Sequence, residues 1–217
     1  MERIDAVVFD MDGLMFETEK LWLDATIKTN EVYGYDVPPE LIISCMGLRK
    51  DKIDIRMKEA LGQDFDPVRY RELNKIFMKK DVEENGLKKK KGLIDLLDFL
   101  KTKNVKIAVA SSSSMERIIN RFKEANLSAD YFDYIIGGDM VVEPKPSPQI
   151  YLNACKVLGI EPKYAIALED SESGIKSAHA AGMKAILIPD LKPASKEVEA
   201  LAYKKYDNLA EVKALFE

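Results

Sequence analysis

The stretch AVVFDMDGLMFE, residues 6–17, decides the fold class and raises the main question about the chain. An apolar run ends abruptly at Asp10, and a second carboxylate follows at Asp12. Two carboxylates one residue apart repel each other, so the pair is unfavourable unless a cation or a fixed chemical role compensates. Gly13 comes next and allows a sharp turn after the run. The stretch therefore predicts a buried strand that ends at a binding site.

The composition predicts a globular protein with one main domain. The 217 residues are 47% hydrophobic and 32% charged, with a net charge of -4, which gives no bias toward polyanionic partners. No apolar run is long enough to cross a bilayer, and the first residues are charged rather than signal-peptide-like. Cys45 and Cys155 are expected to be reduced packing residues. We therefore expect a cytoplasmic monomer that binds neither nucleic acid nor a membrane.

Short apolar runs rich in β-branched residues alternate with helical patterns along most of the chain. The runs lack strict alternation, which is typical of strands buried on both faces of a parallel sheet. Between them, segments such as 92–104 and 147–159 space their apolar residues as helices do, and Ser147 and Pro148 predict an N-cap and a first turn. This alternation predicts a doubly wound, Rossmann-like α/β core. The predicted strands are 6–9, 105–110, 134–136, 164–168 and 185–188.

Residues 16–86 do not follow this alternation of strands and helices. They contain several helical patterns and no convincing strand, and one helix is predicted to start with Asp66 as its N-cap and Pro67 in its first turn. We interpret this region as a helical bundle inserted into a core formed by residues 1–15 and 87–217.

Polar side chains follow the predicted strands. The carboxyl ends of parallel strands meet at one edge of a sheet, where ligands bind in open α/β folds. The carboxylates, a hydroxyl and a lysine at this edge predict a divalent cation beside an anion. Oxygen ligands, and the lack of a Cys/His cluster, favour Mg2+ over zinc. The residues concerned are Asp10, Asp12, Ser111, Lys145, Glu169 and Asp170.

Four motifs at these positions resemble the haloacid dehalogenase-like hydrolases, specifically the branch with a helical cap. They are DMDGL at 10–14, VASSS at 109–113, EPKPSPQIY at 143–151 and ALEDSESGI at 167–175. The resemblance implies a Mg2+-dependent phosphatase of small phosphomonoesters, with residues 16–86 as the cap.

The resemblance also implies individual roles. Asp10 matches the nucleophile that forms an aspartyl-phosphate, and Asp12 matches the general acid and base. Ser111, the backbone amide of Ser112 and Lys145 match the groups that bind the transferred phosphate. Taken alone, a serine-rich helix start is equally well explained as an N-cap.

The same motifs imply the metal ligands. Asp10, Asp12 and Asp170 match the ligands of Mg2+, and Glu169 matches a carboxylate that supports them or acts through a water. Taken alone, an acidic pair after a strand is also typical of a helix N-terminus favoured by the helix dipole.

The substrate is predicted less sharply. The motifs look most like those of phosphatases for deoxyhexose and hexitol phosphates. The related β-phosphoglucomutases usually have a histidine where this chain has Trp22 and a lysine where it has Met46. Trp22 is expected either to stack on a sugar or to anchor the cap, and Arg49 and Lys50 either to bind a second phosphate or to be exposed charges. A sugar phosphomutase and a non-catalytic sugar-phosphate binding protein are the alternative functions.

Overall fold

The computed structural model describes residues 3–48 and 50–216. The chain forms two compact units, one of Met1–Glu17 with Leu87–Glu217 and the other of Thr18–Gly86. The sequence patterns place the start of the insertion at residue 16. Among the described helices, none combines the length and the apolar character needed to cross a membrane.

The larger unit is built on a six-stranded parallel sheet with the strand order β3-β2-β1-β4-β5-β6. This arrangement confirms the predicted α/β class. The strands are β1 (Ala6–Phe9), β2 (Lys106–Ala110), β3 (Tyr134–Ile136), β4 (Ala165–Glu169), β5 (Lys184–Leu187) and β6 (Lys204–Lys205). The helices of this unit are α5 (Leu93–Thr102), α6 (Met115–Glu124), α7 (Gln149–Leu158), α8 (Glu172–Ala180) and α9 (Lys196–Leu201).

The central strand β1 is buried on both faces. It pairs with β2 on one side and with β4 on the other, in parallel register. Ala6 and Val8 join the core cluster that also contains Ile150 of α7 and Ile175 of α8. The alternate residues point to the opposite face of the sheet, and there Phe9 is likewise fully buried.

Two details of this unit differ from the sequence predictions. The edge strand β6 consists of two exposed lysines, so it has no apolar run from which it could be predicted. Helix α7 begins at Gln149 with Pro148 as its N-cap, not with Ser147 as predicted. Pro148 already has near-helical backbone angles. The Ser147 hydroxyl donates to Glu143 at 2.8 Å across the preceding turn and accepts only a long bond of 3.4 Å from the N–H of Gln149.

Over its described residues, the smaller unit is a bundle of four helices with its own core. Asp66 caps the fourth helix by accepting from the backbone N–H groups of Val68 and Arg69, as predicted. Tyr70 lies in the core cluster and donates its hydroxyl hydrogen to Asn30 at 2.5 Å. The helices are α1 (Thr18–Tyr33), α2 (Pro39–Cys45), α3 (Lys50–Leu61) and α4 (Pro67–Asn85).

Candidate active site

Three neighbouring strands bring the predicted polar residues to one edge of the sheet. Asp10 directly follows β1, Ser111 directly follows β2, and Glu169 is the last residue of β4. Because β1 lies between β2 and β4, these three positions are adjacent. The strand register therefore builds the site from segments that are far apart in sequence.

Three carboxylates come together at this edge. Asp10, Glu169 and Asp170 each offer an oxygen, and these oxygens lie within 4.8 Å of one another. Asp10 is 8% exposed and Glu169 is fully buried. Three acidic groups at such short range, two of them buried, favour positive charge nearby, since repulsion and burial both oppose their ionisation.

Lys145 supplies part of that charge. Its Nζ lies 2.6 Å from Asp10 Oδ1, 2.6 Å from Glu169 Oε1 and 2.9 Å from the carbonyl oxygen of Ala110. The side chain is only 2% exposed. It reaches the site from the loop before α7, where Pro144 and Pro146 restrict the backbone on either side.

Burial raises the pKa of Asp10 from 3.8 to about 7, with Lys145 opposing the rise and Glu169 adding to it. Burial alone would lower the pKa of Lys145, but the charges of Asp10 and Glu169 outweigh it and raise that pKa above its ordinary value. The lysine is therefore a fixed cation, and one lysine does not neutralise three carboxylates. A further cation fits this imbalance.

Tyr151 is a site residue that sequence reasoning missed. Its hydroxyl, on the first turn of α7, donates to Glu169 Oε1 at 2.5 Å and lies 3.2 Å from Lys145 Nζ. Burial, together with the charge of Glu169, raises the pKa of Tyr151 well above its ordinary value, so the phenol keeps its proton and remains a donor. The sequence pattern predicted a helix here and assigned no role to this tyrosine, which only its contacts reveal.

Gly174 allows helix α8 to approach the Glu169 carboxylate. A Cβ atom at this position would lie 1.8 Å from the carboxyl carbon of Glu169. Two non-bonded carbon atoms cannot approach so closely. The helix is capped by Ser171, whose hydroxyl accepts from the Gly174 N–H and donates to Glu169 Oε2, both at 3.1 Å. Glu169 is thus held by Lys145, Tyr151 and Ser171.

The carboxylate of Asp12 lies apart from the three-carboxylate group. A turn places it there, since Gly13 has a φ of 84° and the N–H of Met15 donates to the carbonyl of Met11 at 2.9 Å. Asp12 Oδ2 accepts from the Ser113 hydroxyl at 2.7 Å, and Asp12 Oδ1 lies 3.9 Å from a guanidinium nitrogen of Arg117. Neither of these partners of Asp12 was predicted from the sequence.

The two serines after β2 differ in exposure. Ser111 is buried, and its hydroxyl accepts from the N–H of Ser113 at 3.1 Å, whereas Ser112 is exposed. Gly138 lets the neighbouring chain pass close to this loop, because a Cβ there would meet the Ser112 carbonyl oxygen at 2.4 Å. Packing between the two segments therefore fixes the backbone of the Ser111–Ser113 loop.

The predicted cap residues lie in the smaller unit. Trp22, on α1, is partly buried and packs against the core cluster of that unit. Lys50 is exposed at the start of α3. Arg49 lies outside the described residues. The packing of Trp22 agrees with the anchoring role that the sequence analysis left open.

Known proteins are similar in sequence to this chain over most of its length. The family model described as haloacid dehalogenase-like hydrolase matches residues 7–188. The phosphorylated carbohydrates phosphatase of Thermotoga maritima is 32% identical over 189 residues, covering 84% of each chain. Hexitol phosphatase B of Escherichia coli O157:H7 is 27% identical and covers 98% of this chain and 96% of its own.

Solved structures show the same architecture. The crystal structure of CbbY from Rhodobacter sphaeroides in complex with phosphate superposes with a TM-score of 0.71, at 27% identity over 96% of each chain. With the family model matching most of the sequence, the chain belongs to the haloacid dehalogenase-like hydrolases.

Proposed function

We propose a substrate class and a mechanism for this enzyme, which is a phosphoric monoester hydrolase. The substrates are phosphorylated sugars or hexitols, and hydrolysis proceeds through an aspartyl-phosphate on Asp10 with Mg2+ as the cofactor. The observation that carries the proposal is the group of Asp10, Glu169 and Asp170, of which Asp10 and Glu169 are buried and in contact with Lys145. Relatives named phosphorylated carbohydrates phosphatase and hexitol phosphatase support the substrate class.

The donor set fits magnesium. Asp10 and Asp170 offer carboxylate oxygens, the hard ligands that Mg2+ prefers, and the backbone carbonyl of Asp12 is the third ligand that the family resemblance implies. Glu169 already accepts hydrogen bonds from Lys145, Tyr151 and Ser171. We assign it a supporting role beside the metal ligands. When bound, Mg2+ supplies positive charge to the phosphoryl oxygens and offsets the carboxylate repulsion.

Asp10 acts as the nucleophile in the first step. One of its carboxylate oxygens attacks phosphorus, the bond from phosphorus to the leaving alcohol oxygen breaks, and Asp12 gives a proton to that oxygen. In the second step Asp12 takes a proton from water as the water oxygen attacks phosphorus. The bond from phosphorus to Asp10 then breaks, which releases inorganic phosphate and restores the free carboxylate.

The phosphate is held by neutral and cationic donors. Lys145 is already in contact with Asp10, so its charge lies beside the attacking oxygen. The Ser111 hydroxyl and the Ser112 amide supply further hydrogen bonds in the role that the motif implies. The CbbY relative, whose structure contains phosphate, supports a phosphate site on this fold.

Residues 16–86 act as a cap that selects the leaving group. Arg49 and Lys50 are proposed to contact the substrate, and Trp22 to contribute either to a sugar-facing surface or to the packing of the cap. Substitution of a substrate-contacting residue in the smaller unit should then change the preference among substrates more than the rate of the chemical step.

A panel of phosphomonoesters tests the proposal. Phosphate release is measured for hexose, deoxyhexose, hexitol, pentose and nucleoside monophosphates, with Mg2+ and with a chelator. Asp10→Asn should abolish release, whereas Asp95→Asn, which changes an exposed carboxylate on α5, should not. Release from sugar or hexitol phosphates that requires metal supports the function.

Two other results would favour a different function over the proposed one. Conversion of β-glucose 1-phosphate to glucose 6-phosphate in the presence of a bisphosphate activator, without release of phosphate, would identify a mutase. Binding without turnover of any compound would identify a non-catalytic sugar-phosphate binding protein.

A further inference from the structure

The hydrogen-bonding capacity of Lys145 is fully used within the protein. A lysine ammonium has three N–H donors. Its Nζ lies 2.6 Å from Asp10 Oδ1, 2.6 Å from Glu169 Oε1 and 2.9 Å from the carbonyl oxygen of Ala110, and the side chain is almost completely shielded from water. In the proposed function the same ammonium also binds the transferred phosphate. One of these hydrogen bonds therefore has to be released when phosphate enters the site.

The oxygen Glu169 Oε1 already has a second donor. The Tyr151 hydroxyl lies 2.5 Å from this oxygen and 3.2 Å from Lys145 Nζ, so the phenol and the ammonium share one carboxylate oxygen. The other oxygen, Oε2, accepts from the Ser171 hydroxyl at 3.1 Å. If Lys145 turns away from Glu169, both carboxylate oxygens keep a donor. The exchange then avoids the cost of leaving a buried acceptor unsatisfied.

The carboxylate is fixed, whereas the lysine side chain can move. Glu169 is fully buried, and the backbone of Gly174 lies so close that a Cβ there would stand 1.8 Å from the carboxyl carbon. A lysine carries its charge on a flexible stem with several rotatable bonds. A small displacement of Lys145 Nζ is therefore enough to exchange Glu169 for a phosphoryl oxygen, while Glu169 stays in place.

Both donors keep their protons during this exchange. Burial, together with the charge of Glu169, raises the pKa of Tyr151 well above its ordinary value, so the phenol remains a donor. The charges of Asp10 and Glu169 likewise raise the pKa of Lys145 despite its burial. The exchange therefore changes which oxygen accepts an N–H, and no proton is transferred.

We propose that Tyr151 is a positioning residue whose hydroxyl keeps Glu169 hydrogen-bonded while Lys145 turns one N–H from Glu169 to a phosphoryl oxygen. This inference rests on the proposed function, because it assumes that Lys145 meets the transferred phosphate. Without the hydroxyl, Lys145 is the donor that Oε1 retains among the described contacts. Phosphate then competes with a buried carboxylate for the ammonium.

Calorimetric titration of Tyr151→Phe tests the proposal without turnover. Phenylalanine keeps the ring, whose centroid lies 4.9 Å from Lys145 Nζ. Inorganic phosphate, titrated at saturating Mg2+, should bind about tenfold more weakly, because a hydrogen bond to a charged group is broken without replacement. The dissociation constant of Mg2+ alone should change less than about twofold. The reason is that, within the described residues, the hydroxyl bonds to Glu169 and Lys145 and to none of the proposed metal ligands.

Two variants serve as controls, and all titrations are made at a temperature at which calorimetry shows each protein to be folded. Ser171→Ala removes a donor from the same carboxylate, but from Oε2, which Lys145 does not share. It should weaken phosphate binding less than Tyr151→Phe does. Tyr131→Phe removes an exposed phenol that bonds to Asp98, and it should leave both affinities unchanged.

Three results would overturn the proposal. Equal weakening of Mg2+ and phosphate by Tyr151→Phe would show that the tyrosine supports the metal ligands instead. An equal loss of phosphate affinity in Ser171→Ala would show that any loosening of Glu169 has the same effect. Unchanged phosphate affinity in Tyr151→Phe would leave the tyrosine as a packing residue.

A rescue experiment distinguishes positioning from a purely structural role. A neutral amide attracts an ammonium less strongly than a carboxylate does. Adding Glu169→Gln to Tyr151→Phe should therefore restore phosphate affinity, and by a larger factor than the same change produces in the protein with Tyr151. A further loss of affinity in the double variant would contradict the proposal, since a merely structural role predicts that the two defects accumulate.

The proposed function is tested separately. If Tyr151→Phe selectively weakens phosphate binding but the unmodified enzyme releases no phosphate from any ester, the role of Tyr151 stands and the proposed function fails. If inorganic phosphate does not bind the unmodified protein at millimolar concentration with Mg2+ present, the inference about Tyr151 fails, whether or not esters are hydrolysed.

Discussion

The substitution Tyr151→Phe should destabilise the larger unit because it removes one hydrogen bond to a fully buried carboxylate. The phenol of Tyr151 donates to Glu169 Oε1 at 2.5 Å, and neither residue is exposed to solvent. Phenylalanine retains the ring and its packing, so the change is confined to the hydroxyl group. Lys145 and Ser171 still contact Glu169, so the carboxylate loses one hydrogen bond but keeps two partners.

The magnitude follows from the charge of the acceptor. A hydrogen bond to a charged group contributes about 1.5–3 kcal/mol to stability. For a chain of this length, each kcal/mol shifts the melting temperature by about 2–4 °C. The variant should therefore melt about 3–12 °C below the unmodified protein when both are free of metal.

Tyr131→Phe provides a control with the same chemical change. The Tyr131 hydroxyl donates to Asp98 Oδ1 at 2.7 Å, but this pair is exposed. Water replaces the lost bond there, so the free energy of unfolding should change by less than about 0.5 kcal/mol. The comparison separates burial from the loss of a tyrosine hydroxyl.

The assay must follow the larger unit. The single tryptophan, Trp22, lies in the smaller unit, so its fluorescence reports on residues 18–86. Scanning calorimetry combined with amide hydrogen exchange in β1 and β4 reports on the sheet instead. If Tyr151→Phe destabilises these strands no more than Tyr131→Phe does, the buried bond does not stabilise Glu169 and the reasoning is wrong.

Three further predictions concern the site and its sheet. Because burial raises the pKa of Asp10 to about 7, Mg2+ binding should release close to one proton at pH 6 and less at pH 8, measured by calorimetry in buffers of different ionisation enthalpy. Gly174→Ala should destabilise the protein by about 1–3 kcal/mol or more in urea unfolding, because the new methyl group collides with Glu169. Asp133→Asn should lower stability at neutral pH but less at acid pH, because the Ile107 N–H helps to hold the pKa of this carboxyl below its ordinary value despite partial burial.

The signs of the two pH effects are opposite. A carboxyl whose folded pKa is raised, as at Asp10, favours the metal-free fold below the unfolded value of about 4, and this stability is lost as the pH rises through 7. For Asp133 the folded pKa is lowered, so the stability is present above the unfolded value and is lost as the pH falls. A proton release that does not depend on pH, or an Asp133→Asn deficit that persists unchanged at pH 3, would contradict these assignments.

A control for Gly174→Ala is available on the same helix. Ser173→Ala removes an oxygen and adds no atom, so it should be tolerated far better. Equal stability of the two variants would show that helix α8 can move away from Glu169 at little cost.

Much of the fold could be predicted because burial on both faces leaves a clear pattern. The continuous apolar runs of β1 and β4 identified strands of a parallel sheet, and the polar residues that follow them identified the edge that carries the site. The strand β6 could not be predicted in this way, because Lys204 and Lys205 are exposed and gain their extended conformation from pairing with β5.

The contacts within the site were less predictable. The motif pattern singled out Lys145, but for the segment that contains Tyr151 it predicted only a helix. Likewise Ser113 and Arg117 resembled ordinary residues of a helix start, and their relation to Asp12 depends on a turn whose geometry no periodicity encodes. Sequence patterns report burial and local conformation, whereas these contacts arise from strand order.

The position of β1 at the centre of the sheet has a consequence for how the chain acquires its structure. Its hydrogen-bonding partners, 106–109 and 165–168, lie on the far side of the whole smaller unit in sequence. The helices of residues 18–86 pack against one another within one continuous segment and can assemble early, but β1 has to wait for two strands that are synthesised much later. The strand that presents Asp10 thus leaves the ribosome before both of its partner strands, and the edge that carries Asp10, Ser111 and Glu169 is complete only once β4 has been made.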